Sequence, residues 1–177
     1  MNNNDSPEDS RPMGRGMLMI FWVMVLGLMT WALGGWQERK DNPNRDPLSA
    51  DTGQYREVIL ESNRQHHYVA GGKINNRPVT FLLDTGATDV VVPEQLARSL
   101  GLQKGQSHMA STANGNVRVY STLIDRLQLG SIELRDVRAS INPGMKGKGV
   151  LLGMSALRNI EFRQRDGKLT LRQYPAG

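Results

Sequence analysis

An apolar run that stops abruptly at a carboxylate constrains this chain more than any other feature: Phe81-Leu82-Leu83-Asp84-Thr85-Gly86-Ala87-Thr88. Val79 to Leu83 carry β-branched and aromatic side chains and no charge, as expected of a buried strand. An Asp at the end of such a strand is costly unless hydrogen bonds or a partner compensate. Gly86 permits a tight turn and close backbone approach. The N–H groups of that turn are placed to hold the carboxylate, and the Thr85 hydroxyl is free to bond another chain segment. Asp84 is therefore expected to sit fixed at a strand end facing a cleft, where carboxylates serve as acids and bases. An ordinary Asx-turn at a strand end uses the same residues without chemistry.

The same triplet occurs earlier, as Asp51-Thr52-Gly53. Pro47-Leu48-Ser49-Ala50 precedes it instead of an apolar strand, and Gln54 follows it. The spacing is 84 − 51 = 33 residues, too few to enclose a lobe between two active-site loops. Its turn-like composition assigns it to a linker.

Around Asp84 the pattern is that of short strands and turns. Glu57 to Leu60, Tyr68 to Ile74 and Pro78 to Asp84 read as strands, the last two turned at Asn75-Asn76. Val90-Val91-Val92 is a further buried strand. Pro93 to Gly101 reads as a short helix, with Pro in its first turn and Gly at its end. Asn114-Gly115 signals a tight hairpin whose arms, His108 to Ala113 and Asn116 to Ser121, are too polar for a core. Leu123 to Leu129 and Ile132 to Ile141 pair through Gly130-Ser131, and Val150 to Leu152 is a short apolar strand ending at Gly153. Ile160 to Gln173 is a hairpin around Asp166-Gly167, with Ile160, Phe162, Leu169 and Leu171 directed inward. His66 and His67 alternate sides of the chain without accompanying Cys or carboxylate ligands, so they read as surface histidines and no metal site is expected.

Met17 to Trp36 contains no charged residue. Twenty residues of helix span about 30 Å, the thickness of a bilayer core. The stretch is longer than the apolar core of a secretory signal, so an uncleaved anchor is favoured. The organisation expected is a polar tail over 1–16, a transmembrane helix over 17–36, a Pro-containing polar linker over 37–57 and a folded domain over 58–177. Arg11 and Arg15 precede the helix and Arg39, Lys40 and Arg45 follow it, so the basic residues nearly balance across it. The chain has no cysteine, which removes disulfides and thiol chemistry. Its net charge is +5, with basic residues gathered at Arg158, Arg163, Arg165, Lys168 and Arg172. Few aromatics interleave with them, so a solvated strand face is favoured and no nucleic acid is expected as partner. Binding of nucleic acid or anionic lipid by a membrane-tethered basic module is the weaker reading.

Asp84-Thr85-Gly86-Ala87, after its apolar strand and before Val90-Val91-Val92-Pro93, resembles the active-site motif of the retropepsin-like aspartic proteases, in particular bacterial single-pass membrane members. The resemblance runs from about Val58 to Gln173. It implies an all-β fold, a closed retropepsin-like barrel or sandwich with one or two short helices, preceded here by the transmembrane helix. It implies Asp84 as the catalytic residue, with Thr85, Gly86 and Ala87 in the active-site loop. The hairpin tip Thr112, Ala113, Asn114 and Gly115 corresponds to a flap over the substrate. Leu151-Leu152-Gly153 resembles the apolar strand that packs beside the catalytic loop. The chemistry implied is peptide hydrolysis needing two carboxylates, hence a homodimer that pairs Asp84 with Asp84 of a second copy and acts on polypeptides with neither metal nor organic cofactor. The implied location is the bacterial inner membrane, with the tail cytoplasmic and the catalytic domain periplasmic. The alternative is a tethered binding or structural module that keeps the fold without catalysis.

Overall fold

The computed structural model describes residues 13–112 and 115–175. They fall into two compact units that divide between Glu38 and Arg39.

The first unit is built on helix α1 (Met13–Asp41). Its stretch Gly16–Leu33, 18 residues long, is apolar enough to cross a membrane, and none of its residues is buried. At 1.5 Å per residue that stretch measures about 27 Å, close to the hydrocarbon thickness of a bilayer.

The second unit is mostly strand. β1 (Leu48–Asp51), β2 (Arg56–Glu61), β10 (Glu161–Arg165) and β11 (Lys168–Gln173) form an antiparallel sheet in the order β1-β2-β11-β10. A seven-stranded sheet has the order β3-β4-β9-β5-β8-β7-β6. Its strands are β3 (Val69–Ile74), β4 (Arg77–Leu83), β5 (Val90–Pro93), β6 (Ser107–Thr112), β7 (Gly115–Leu129), β8 (Ile132–Asn142) and β9 (Gly149–Leu152). Two short helices, α2 (Glu94–Ser99) and α3 (Met154–Leu157), complete the unit. The fold is thus all-β with short helices, as its sequence pattern implies.

The turns explain the pairing. Asn75 and Asn76 both adopt positive φ, 48° and 65°, the backbone of a two-residue type I′ hairpin between β3 and β4. Asp166 and Gly167, at 50° and 74°, do the same between β10 and β11. Asn75 also reaches sideways: its N–H donates to the Arg126 carbonyl at 2.9 Å and its Oδ1 accepts from the Arg126 N–H at 3.1 Å. Beside it, Lys73 and Ile74 pair with Gln128 and Leu127, bringing β3 against β7. The seam is only two residue pairs long, so the larger sheet curls back on itself without clearly closing the barrel.

Both sheets share one core. Phe81, Ile124, Leu127, Ile141 and Leu152 of the larger sheet meet Val58, Leu60 and Leu171 of the smaller. Full burial of a side chain such as Phe81 contributes about 2–3 kcal/mol.

Three sequence expectations differ from the structure. Residues 39–57, expected to be linker, belong to the folded unit. β1 pairs with β2 from Leu48↔Ile59 to Asp51↔Arg56. Asn44, only 4% exposed, donates through Nδ2 to the Glu61 and Val69 carbonyls and accepts from the Glu61 N–H through Oδ1. A polar stretch can fold this way because its stabilisation comes from hydrogen bonds to neighbouring backbone, which leave no hydrophobic pattern. Second, the arms expected as Asn116 to Ser121 and Leu123 to Leu129 are one strand, β7, whose first part pairs with β6 and whose second part pairs with β8. Third, Phe162 is 49% exposed although Ile160, Leu169 and Leu171 are buried as expected. It lies on β10, the edge strand, where no further strand covers it.

Candidate active site

Asp84 is the first residue beyond β4, an interior strand flanked by β3 and β9. β4 and β9 run parallel up to Leu83↔Leu152, and the Asp84 N–H continues the ladder to the Leu152 carbonyl at 3.1 Å. There the chain turns sharply. The Gly86 N–H donates to Asp84 Oδ1 at 2.9 Å and the Ala87 N–H donates to the Asp84 carbonyl at 3.2 Å. The carboxylate is thus fixed by the Asx-type turn that Asp-Thr-Gly permits. Asp84 is half-buried, whereas Thr85 and Gly86 are exposed. Among the described residues, neither Asp84 Oδ2 nor the Thr85 hydroxyl has a hydrogen-bond partner.

The rest of the loop arches over the end of β9. β5 resumes on the other side of β9, touching it at Val91↔Leu151 and running parallel to β8 from Val90↔Ala139. Gly153 lies directly beneath the arch. A Cβ at Gly153 would overlap the Asp89 carbonyl oxygen and come within 2.7 Å of that of Ala87. Glycine is therefore required by close backbone approach. The N–H groups of Met154 and Ser155 point back at the arch and donate to the Ala87 and Thr88 carbonyls, each at 2.8 Å. Leu151-Leu152-Gly153 thus packs beside the Asp84 loop.

The candidate flap is the β6–β7 hairpin. Its arms pair from Ser107↔Tyr120 to Thr112↔Gly115, and Thr112 Oγ1 donates to the Gly115 carbonyl at 2.7 Å. Gly115 has φ of 102°, a conformation that glycine adopts freely. Ala113 and Asn114 lie outside the described residues. Apart from half-buried Ala110, every residue of β6 is exposed, and Met109 projects an apolar side chain from it.

The earlier triplet is built differently. Asp51 ends β1, an edge strand, and its Oδ1 accepts from the Gly53 N–H at 3.0 Å. Its Oδ2 is engaged by Arg56 at 3.2 Å. The Gly53 N–H, followed by Arg56, holds the Asp51 carboxyl below its ordinary value of 3.8. Tyr55, Arg56, Gln173 and Tyr174 line a cleft of about 410 Å³ beside it. His66 and His67 are exposed, and no set of metal-ligating side chains gathers among the described residues.

Sequence reasoning missed the groups that hold the arch from outside. Ser155 Oγ bonds the Val90 N–H and the Arg138 carbonyl, and the hydroxyl of buried Ser140 faces Asp89 Oδ2 at 3.4 Å. An isolated serine in an apolar stretch carries no motif, so nothing in the sequence marked either residue.

The fold and this loop define a retropepsin-like aspartic protease architecture. The model of the gag-polyprotein putative aspartyl protease family matches residues 70–159, just over half of the chain, which therefore belongs to that family. An uncharacterized protein from the cobV 5′ region of Sinorhizobium sp. is 27% identical over 73% of this chain and 58% of its own length. An uncharacterized protein of Rickettsia prowazekii is 25% identical over 67% of the chain and 52% of its own length. The chain thus spans little more than half the length of these curated relatives. The crystal structure of a retropepsin-like aspartic protease from Rickettsia conorii superposes with a TM-score of 0.55 at 24% identity, covering 72% of this chain and 95% of that one. At that identity the likeness speaks for the fold.

Proposed function

We propose that this chain is a membrane-anchored aspartic endopeptidase that works as a homodimer. The observation that carries the reading is the Asp84 carboxylate: it ends an interior strand, one oxygen is fixed by the Gly86 N–H, and the other has no partner among the described residues. A preorganised carboxylate with a free oxygen is what acid–base catalysis requires.

Hydrolysis of a peptide by this route needs two carboxylates that share one proton. Like charges a few ångströms apart cannot both ionise easily, so such a pair titrates as a unit. One chain supplies a single interior Asp-Thr-Gly loop, and a twofold axis supplies the second Asp84. The ionised carboxylate takes a proton from water as its oxygen attacks the scissile carbonyl carbon. The protonated carboxylate donates to the carbonyl oxygen, giving a tetrahedral diol. As the diol collapses, one of its hydroxyls gives its proton to the ionised carboxylate while the other carboxyl protonates the departing nitrogen, the C–N bond breaks, and the dyad again holds one shared proton. The Thr85 hydroxyl, without a partner among the described residues, is available to bond across the axis, and the β6–β7 hairpin serves as the flap over a polypeptide substrate. Residues 17–36 act as the anchor, and confinement in the membrane raises the effective concentration of one copy near another. The catalytic domain, with its folded part extending back beyond residue 58, is assigned to the periplasmic side of the inner membrane, following the family resemblance.

The test is cleavage of a peptide library in the acid range by the full chain in detergent micelles. Wild type should cleave, Asp84→Asn should not, and activity per chain should fall on dilution as dimers dissociate. Absence of cleavage at every concentration would leave a tethered module without catalysis. Concentration-independent activity from a demonstrated monomer would remove the dimer mechanism. A reporter fused after Gly177 that works only in the cytoplasm would overturn the periplasmic assignment.

A further inference from the structure

The Asp84 loop enters the sheet system through a regular ladder and leaves it through a single side chain. At the entrance, the Asp84 N–H bonds the Leu152 carbonyl in continuation of the β4–β9 pairing. At the exit, Val90↔Ala139 is the first pair between β5 and β8. The Val90 N–H and the Arg138 carbonyl lie at this end of the ladder. Ser155 Oγ stands between them: it accepts from Val90 N–H at 2.9 Å and donates to the Arg138 carbonyl at 2.7 Å. A hydroxyl has one proton to give and lone pairs to receive, so one atom bridges the two groups. The Ser155 N–H meanwhile donates to the Thr88 carbonyl at 2.8 Å, so one residue ties the arch, β5 and β8 together.

We propose that Ser155 is a positioning residue for the Asp84 carboxylate. This rests on the protease reading above for its catalytic consequence but not for its structural one. The connection is short. Ala87 and Gly86 both bond Asp84, through its carbonyl and its Oδ1, and the adjacent Ala87 and Thr88 carbonyls are held by the Met154 and Ser155 N–H groups. A shift of the exit limb therefore reaches the carboxylate through two hydrogen bonds. Displacement of a catalytic group by about 1 Å costs on the order of 100-fold in rate.

The experiment compares Ser155→Ala, Ser155→Thr and Ser155→Cys in the full chain in detergent, with Ser131→Ala as control. Ser131 Oγ likewise lies at 3.0 Å from the Ala50 and Glu57 carbonyls, but outside the Asp84 loop. Peptide cleavage and deuterium uptake over residues 85–90 are measured for each. Ser155→Ala should lower kcat by roughly 10- to 100-fold with KM unchanged, and should raise uptake over 85–90. Ser155→Thr, which keeps the hydroxyl, should restore both. Ser155→Cys, a weak donor of similar volume, should fall between and remains informative if the alanine variant does not fold. Ser131→Ala should change neither quantity. Unchanged uptake over 85–90 in the folded Ala or Cys variants, or a rate loss that only tracks the folded fraction, would refute the proposal. If the wild type cleaves nothing, the protease reading fails separately, and the uptake comparison still decides whether Ser155 holds the loop.

Discussion

The chain writes Asp-Thr-Gly twice, and the two copies make the same local turn. In each, the glycine N–H donates to the aspartate Oδ1, at 3.0 Å for Asp51 and 2.9 Å for Asp84. What surrounds the turn differs. Thr52 Oγ1 is used up locally, donating to the Tyr55 carbonyl and accepting from the Tyr55 N–H, whereas the Thr85 hydroxyl has no partner among the described residues. Asp51 gives its second oxygen to Arg56, whereas Asp84 Oδ2 has no partner among the described residues. Gly53 needs a left-handed backbone at φ of 76° and has open space around it. The second loop instead depends on a glycine from elsewhere, Gly153, that has no room for a side chain. A triplet at a sheet edge closes on itself. The same triplet between interior strands is held from outside and leaves its functional groups unspent.

The largest expected effect tests that contrast directly. Asp84→Asn should lower peptide cleavage by about 10³-fold or more, since in the proposed dyad it removes both carboxylates, one from each copy, and with them the acid–base capacity. Asp51→Asn should leave the rate close to wild type, because an exposed surface change has little effect. Loss in Asp51→Asn with retention in Asp84→Asn would invert the assignment.

Next come the two glycines. Gly153→Ala forces a methyl into two backbone carbonyls and should cost about 3 kcal/mol, with loss of activity in whatever remains folded. Gly53→Ala strains only its own backbone and should cost about 1 kcal/mol. Urea midpoints of the two variants decide this, and equal midpoints would show that the loop yields more easily than its geometry implies.

A third test concerns the strap that leads to the first triplet. Asn44→Ala leaves the Glu61 N–H and the Glu61 and Val69 carbonyls without their side-chain partner. It should destabilise by about 2 kcal/mol while activity per folded molecule is retained. A selective fall in activity without a fall in stability would place this strap in the chemistry.

The smallest effect is on pH dependence. The Gly53 N–H and Arg56 lower the Asp51 carboxyl in the folded state. A lowered folded value means that the carboxylate contributes stability above the unfolded value of about 3.8, and that this is lost as pH falls through the folded value. The urea midpoint of wild type should therefore decline slightly more than that of Asp51→Asn below pH 3.8. Identical declines would show that the edge turn is not held as described.

Much of this was legible in advance. Asn75-Asn76 and Asp166-Gly167 name their hairpins because few other residue pairs accept positive φ at both central positions. Val79 to Leu83 and Val150 to Leu152 declare buried strands by composition, and Asp84 stands out because a carboxylate closes one of them. Less was legible where polar groups bond across sequence distance. Asn44 meets Glu61 and Val69, and Ser155 meets Val90 and Arg138, through contacts that no local pattern encodes.

The sequence by itself determined the Asn75-Asn76 and Asp166-Gly167 turns, the apolar helix, the buried strands on either side of the Asp84 loop and the turn-forming character of Asp-Thr-Gly, because each depends on backbone preferences and on side chains within a few residues. Only the tertiary structure decided what holds each triplet: Arg56 at a sheet edge for Asp51, and the end of β9 with Ser155 around the Asp84 loop. Parallel pairing of β4 with β9, the crossing above Gly153 and the Ser155 bridge bring together segments as much as 152 − 83 = 69 residues apart, as Leu83 with Leu152. Their free energy comes from packing and from hydrogen bonds between those segments, and neither exists until the whole unit has folded.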